Sequence, residues 1–290
     1  AVYCYDTNMI ISPFMRALLL TLMAGLATGA GSFIALLCKR TTPRFLSVSL
    51  GFSAGVMIFV SLVELFNDAR EQLSLHWGLQ WGYFGAIAGF FGGMAIIAII
   101  DHFVPSEVNP HEARETEAAA YEATNTQACP CPSPGSKSHK SKLLRTGMLT
   151  ALVIGLHNFP EGIATFFASM QDITLGVTIA FAIAIHTIPE GIAVSVPIYY
   201  ATGSRKKAFW LSFASGLSEP VGAIIGYLIL QPLIGGPTFG IVLAAVAGIM
   251  IYISLDELLP SAREFGENHL AMAGLAGGMA VMALSLALGA

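Results

Sequence analysis

Long apolar stretches alternate with short polar breaks from residue 17 to the end of the chain. A hydrocarbon core about 30 Å thick takes roughly 20 apolar residues of helix to cross. Eight segments have that length and character: 17–38, 45–66, 77–104, 146–170, 173–200, 208–230, 233–257 and 270–289. The stretches 17–38 and 77–100 hold no charged residue, whereas the fourth to seventh segments carry His, Glu and Pro near their middles. The pattern predicts an all-α integral membrane protein, a bundle of eight transmembrane helices.

One polar interval is long. Residues 106–145, rich in Ser, Pro, Glu and Lys, read as a flexible cytoplasmic loop. It divides the chain into helices 1–3 (16–105) and helices 4–8 (146–290), which together form one transport domain. The first 15 residues begin on Ala and hold no Lys or Arg, unlike a signal-peptide n-region. They are set aside as a short segment open to processing.

Orientation follows from the basic residues. With eight spans both termini share a side, and that side receives only Arg16 and Arg70. The other twelve, among them Lys39, Arg40, Arg44, Lys142, Arg145, Arg205, Lys206, Lys207 and Arg263, fall opposite. Both termini are therefore expected away from the cytoplasm. Composition agrees with burial in lipid, since 55% of the 290 residues are hydrophobic and 11% charged, against about 25% charged in soluble domains. A net charge of −4 gives no reason to expect a nucleic-acid partner. The four cysteines suggest no disulfide framework. Glycines four apart (Gly25 and Gly29, Gly51 and Gly55, Gly85 and Gly89, Gly274 and Gly278) predict close helix packing without further chemistry.

Polar groups at mid-membrane need a reason, because a carboxylate there costs at least about 2.5–3.5 kcal/mol. Residues 157–164 read HNFPEGIA and 186–193 read HTIPEGIA, identical at six of eight positions. Consecutive spans run antiparallel, so the pair has inverted-repeat character. His157 and Glu161 are i, i+4, as are His186 and Glu190, placing each pair on one helix face. Pro160 and Pro189 free the carbonyls of Leu156 and Ile185, and Gly162 and Gly191 admit a close neighbour. The sixth segment adds Glu219 within Ser218-Glu219-Pro220, at a similar depth. Two imidazoles and three carboxylates, with the Asn158 amide oxygen, form a ligand set for a borderline divalent ion such as Zn²⁺. A doubly positive ion also offsets the buried negative charge.

HNFPEG and HTIPEG in successive helices, SGLSEP in the next and SLGFSAGVMIFVSLVEL earlier resemble the ZIP (Zrt/Irt-like protein) family of metal transporters, most closely its bacterial zinc-transporting members. The resemblance covers all eight spans. It implies uptake of Zn²⁺, and of Fe²⁺, Mn²⁺, Co²⁺ or Cd²⁺, into the cytoplasm across the bacterial inner membrane. The implied ligands are His157, Asn158, Glu161, His186, Thr187, Glu190 and Glu219, in a two-metal centre bridged by the PEG glutamates. Thr187 departs from the Asn or Asp common in the family and offers a weaker, neutral donor. The family also implies an elevator-like movement of helices one, four, five and six. The partners expected are divalent ions and the lipid bilayer, with a homodimer left open. No cofactor is called for, only the transported metal, and no catalytic residue.

Outside the centre the alternatives stay open. Met57 and Glu64, seven apart on one face of segment two, fall by family position near the metal and toward the outer entrance; helix packing and helix-end solvation are the plainer accounts. Asn67, Asp68, Glu71 and His76 form an acidic outer loop. Asp256 and Glu257 close segment seven on the inner side, as an exit relay or as solvated ends, and Asp101 and His102 stand similarly on segment three. His111, Cys129, Cys131 and His139 are scattered in the long loop. A metalloprotease would want HExxH and an ATP-driven pump a P-loop, and the chain has neither. A proton relay uses intramembrane carboxylates without requiring a duplicated ligand set.

Overall fold

The computed structural model describes residues 12–37, 42–103, 137–230, 237–264 and 268–289. Cys4, Cys38, His111, Cys129 and Cys131 lie outside them, as does the side chain of His139. Every regular element among the described residues is helical. In chain order they are α1 (Pro13–Leu37), α2 (Pro43–Val60), a π turn (Ser61–Leu65), α3 (Phe66–Trp77), α4 (Leu79–Phe103), α5 (Lys137–Gln171) and α6 (Ile173–Thr202). There follow α7 (Arg205–Gly216), α8 (Ser218–Leu230), α9 (Pro237–Ile253), a second π turn (Ser254–Leu258), α10 (Leu259–Glu264) and α11 (Asn268–Gly289). Among the described residues, seven helical stretches are long and apolar enough to cross a membrane. The 35-residue α5 is not among them; its middle is occupied by His157, Asn158 and Glu161.

Several boundaries differ from the hydropathy reading, each for a local reason. Of the polar interval 106–145, residues 137–145 already belong to α5; Lys, Leu and Arg are strong helix formers and need no bilayer to continue a helix. The second span does not end near residue 66. Its helix runs through the π turn into α3, so Asn67, Asp68, Glu71 and His76 stand on a helix, not in a loop. The chain turns at Gly78, whose φ of 80° favours glycine. Asp256 and Glu257 likewise lie inside a π turn that continues into α10. The sixth span is interrupted at Leu217, which places Glu219 in the first turn of α8 and not in the middle of a helix. Asp172 caps α6, accepting from the backbone N–H groups of Thr174 (2.6 Å) and Leu175 (3.3 Å).

The helices form two bodies. In one, α1, α5, α6 and the α7–α8 pair pack together; in the other, α2 packs on α11 and α9 on α3 and α4. The bodies meet where α2 crosses α6 and α9 crosses α5. Glycine sets the closeness within each body. A Cβ at Gly51 or Gly55 would meet the Ala271 or Leu275 carbonyl, and one at Gly274 or Gly278 would meet that of Val48 or Phe52. The paired GxxxG patterns of α2 and α11 thus bring the two backbones together. Gly25 and Gly216 face each other's carbonyls in the same way, joining α1 to α7.

Candidate metal centre

The two HxxPEG octets lie on α5 and α6, and the structure brings them together at the centre of the first body. His157, Asn158, Glu161, His186, Thr187, Glu190 and Glu219 are all buried, none exposed by more than 2%. Glycine permits the approach. A Cβ on Gly162 would strike the backbone of Glu219, and one on Gly191 the backbone of Thr28. The residue after each PEG glutamate therefore seats a neighbouring helix, α8 in one case and α1 in the other.

The pairing is reciprocal. His157 Nε2 lies 3.4 Å from Glu190 Oε2, and His186 Nε2 lies 3.3 Å from Glu161 Oε1. The i, i+4 spacing places each pair on one helix face, and from those faces each histidine meets the glutamate of the other octet. Two antiparallel copies of one motif must meet this way across a two-fold axis. His186 Nδ1 also donates to the Ala182 carbonyl at 3.0 Å, which fixes the ring and aims Nε2 into the centre. An Nδ1–H held by a carbonyl is a usual way to orient a metal-binding imidazole.

Donors remain unpaired around these pairs. Asn158 Nδ2 donates to the Ser215 carbonyl (3.4 Å), leaving Oδ1 buried without a partner. Glu161 Oε2, both Glu219 carboxylate oxygens and His157 Nδ1 are buried without a hydrogen bond. Buried polar atoms are nearly always satisfied, so these atoms, gathered in one place, are free to take up a ligand. Thr187 is buried and donates to the Ala184 carbonyl at 3.4 Å, which leaves its lone pairs uncommitted. Among the described residues, no three His, Cys, Asp or Glu side chains stand in metal-holding geometry; imidazoles and carboxylates are bonded in twos.

The second body contributes at its seams. Ser53 of α2, which hydropathy alone does not single out, donates to the His186 carbonyl (3.2 Å) and to Glu190 Oε1 (3.5 Å). Glu257 of the second π turn is buried, with Oε2 3.9 Å from His157 Nδ1. It faces the centre and does not end its helix in solvent. Met57 is fully enclosed in the apolar core. Glu64 and Asp256 are half-buried in their π turns, Asp101 is half-buried and His102 exposed.

The profile of a family described as ZIP Zinc transporter matches residues 13–286, nearly the whole chain. Among curated proteins, the zinc transporter ZupT of Clostridium perfringens is 56% identical over 280 residues, covering 94% of this chain and 96% of its own. ZupT of Chlorobaculum parvum is 57% identical over 269 residues, covering 93% and 96%. ZupT of Streptococcus mutans is 52% identical over 272 residues, covering 94% and 97%.

Proposed function

Because this chain belongs to the ZIP zinc transporter family, a family of multi-pass membrane proteins, we propose that it carries Zn²⁺ into the cytoplasm through the buried centre on α5, α6 and α8. The reciprocal contact of His157 with Glu190 and of His186 with Glu161 carries the reading. Two carboxylates and two imidazoles at the core of a membrane protein form a costly arrangement unless something of opposite charge repays it. A divalent cation entering between the members of each pair exchanges a hydrogen bond for two coordinate bonds. Glu161 and Glu190 then compensate most of the charge and bridge two ions. The imidazoles favour borderline metals over Mg²⁺ and Ca²⁺, which extends the substrates to Fe²⁺, Mn²⁺, Co²⁺ and Cd²⁺.

Asn158 Oδ1 and Glu219 complete the position beside His157, and Thr187 offers a neutral donor beside His186. Glu64 lies toward the entrance; Asp256 and Glu257 lie toward the exit. Transport proceeds through eight spans with both termini outside the cytoplasm, residues 16–105 and 146–290 working as one domain. The two-body packing suits movement of α1, α5, α6 and α7–α8 against the rest. Relatives named as transporters and a site with no activated nucleophile both speak against an enzyme.

Uptake of ⁶⁵Zn²⁺ into proteoliposomes tests the reading. The unaltered protein accumulates zinc, while Glu161→Gln and Glu190→Gln insert normally and do not. Near-normal uptake by both variants would overturn the assignment.

A further inference from the structure

The two-fold relation extends beyond the octets. Residues 54–65 (AGVMIFVSLVEL) and 247–258 (AGIMIYISLDEL) are identical at eight of twelve positions, and both end in a π turn. Within them Ser61 donates to the Met57 carbonyl (2.6 Å) and Ser254 to that of Met250 (2.7 Å). A fainter likeness at an offset of 191 joins residues 25–34 to 216–225, sharing Gly25 with Gly216, Leu26 with Leu217, Gly31 with Gly222 and Ile34 with Ile225.

Glycine contacts establish this second register independently of identity. A Cβ on Gly31 would strike the Ile188 carbonyl, and one on Gly222 the Phe159 carbonyl. Ile188 and Phe159 are equivalent positions of the two octets. A Cβ on Gly191 would strike the Thr28 carbonyl, and one on Gly162 the Glu219 carbonyl. Gly25 and Gly216 strike each other, as residues beside a two-fold axis must. Three contacts agree on one offset. It makes Thr28 of α1 the equivalent of Glu219 of α8.

The Thr28 side chain is unusual for a hydroxyl in this protein. Thr21, Ser61, Thr165, Ser169 and Ser254 each donate to the carbonyl four residues earlier, which satisfies a hydroxyl within its own helix. Thr28 is fully buried, yet its Oγ1 has no hydrogen-bond partner, and the same holds for Ser32 one turn further on. The side chain leans across the helix crossing, where a Cβ on Gly216 would come within 2.8 Å of Oγ1. A buried, unsatisfied hydroxyl at the position that mirrors a buried, unsatisfied carboxylate calls for the same ligand.

We infer that Thr28 is a further contact of the divalent cation, the neutral counterpart of Glu219, which touches the ion or a water it retains and limits the charge that the half-site beside Glu190 can balance. The inference rests on the metal-transport reading of the centre. It makes the two half-sites unequal. Asn158 and Glu219 stand with the first octet, whereas Thr187 and Thr28 stand with the second.

Equilibrium dialysis of the purified full-length protein against ⁶⁵Zn²⁺ tests it, with thermal unfolding as the control for folding. Thr28→Val, which keeps the shape and removes the hydroxyl, should weaken zinc binding about five- to tenfold. Thr28→Ser, which restores the hydroxyl, should return it to near the unaltered value. Thr28→Asp should tighten binding at least tenfold or raise the number of ions bound. If Thr28→Asp does not fold, the Val and Ser variants decide alone. Binding unchanged in Thr28→Val, or equally weakened in Thr28→Val and Thr28→Ser, overturns the inference. Glu161→Gln separates the two readings: if it binds zinc normally the centre itself is misassigned, and if it loses zinc while Thr28→Val does not, only the role of Thr28 fails.

Discussion

The two halves of this molecule pack alike and differ in chemistry. With the first octet stand Asn158, Glu219, whose backbone packs on Gly162, and Glu257, 3.9 Å from His157 Nδ1: one amide and two carboxylates. The positions that match these in sequence register hold Thr187, Thr28 and Glu64, and His186 Nδ1 is bonded to the Ala182 carbonyl where His157 Nδ1 meets Glu257. Several packing glycines, by contrast, are kept in register: Gly162 with Gly191, Gly25 with Gly216, Gly31 with Gly222, Gly55 with Gly248. Where two backbones come this close, small residues are favoured in both copies. On the proposed function, side chains that face the ion are constrained by charge, and the total charge, not its even division, must suit a divalent guest.

The first way to break this comparison is to remove one bridging carboxylate at a time. Each of Glu161 and Glu190 serves the histidine of the opposite octet, so Glu161→Gln and Glu190→Gln should both lower zinc uptake at least about a hundredfold. The basis is the 3–5 kcal/mol typical when one partner of a buried charged pair is removed. Initial rates in proteoliposomes measure it. A large loss in one variant with little in the other would show that one half carries the ion alone.

Packing should prove more even than chemistry. Gly162→Ala and Gly191→Ala each push a methyl group into a neighbouring backbone, of Glu219 and Thr28 respectively. Overpacking of this kind costs about 1–3 kcal/mol. The two variants should therefore lower the midpoint of thermal unfolding in detergent by similar amounts. A methyl group accepted without loss at either position would mean that the helices there can part.

The seams should be uneven. Glu257 meets His157 across the two bodies, while Glu64 makes no such contact with His186, which is bonded to Ala182 and Glu161. Glu257→Gln should reduce uptake about tenfold and Glu64→Gln less than about threefold, because of the two only Glu257 stands within direct charge interaction of a histidine, at 3.9 Å. Equal losses in the two variants, measured as rates at subsaturating zinc, would indicate that Glu64 engages His186 in another conformation.

Much of this is legible in the amino-acid sequence. Hydropathy locates the apolar stretches, and the six identities of the octets mark α5 and α6 as a pair and single out His157, Glu161, His186 and Glu190, which the fold buries together. Hydropathy cannot see where a helix stops when the next residues also favour helix. Hence α2 continues through a π turn into α3, and α5 begins at Lys137. Spacing along one helix places His and Glu of an octet on one face, and the inverted repeat brings the octets together, but neither says which histidine meets which glutamate. Glu257 reads equally as an exit relay or a solvated end because a turn of π-helix leaves no mark in hydropathy, although the repetition of SLVEL as SLDEL carries the signal. Thr28 and Ser53 escape notice for a simpler reason: one hydroxyl in a glycine-rich apolar helix is ordinary until its partner is known.

Ser53 gives the smallest expected effect and the sharpest view of the seam. It is fully buried on α2 and reaches across to α6, touching both the His186 carbonyl and the carboxylate of Glu190. Its equivalent on α9 is Val246, which has no donor, so the His157 side lacks this tether. A neutral hydroxyl bond contributes about 1 kcal/mol, and the longer of these two contributes less. Ser53→Ala should thus slow zinc uptake about three- to fivefold, with the protein still folded and zinc still bound. Ser53→Thr, which retains the hydroxyl, should recover most of the rate if the added methyl group fits. Val246→Ser should change uptake less than Ser53→Ala, since no carboxylate on the His157 side depends on a hydroxyl from α9. A larger effect at 246 than at 53 would place the ordering contact on the other side of the axis.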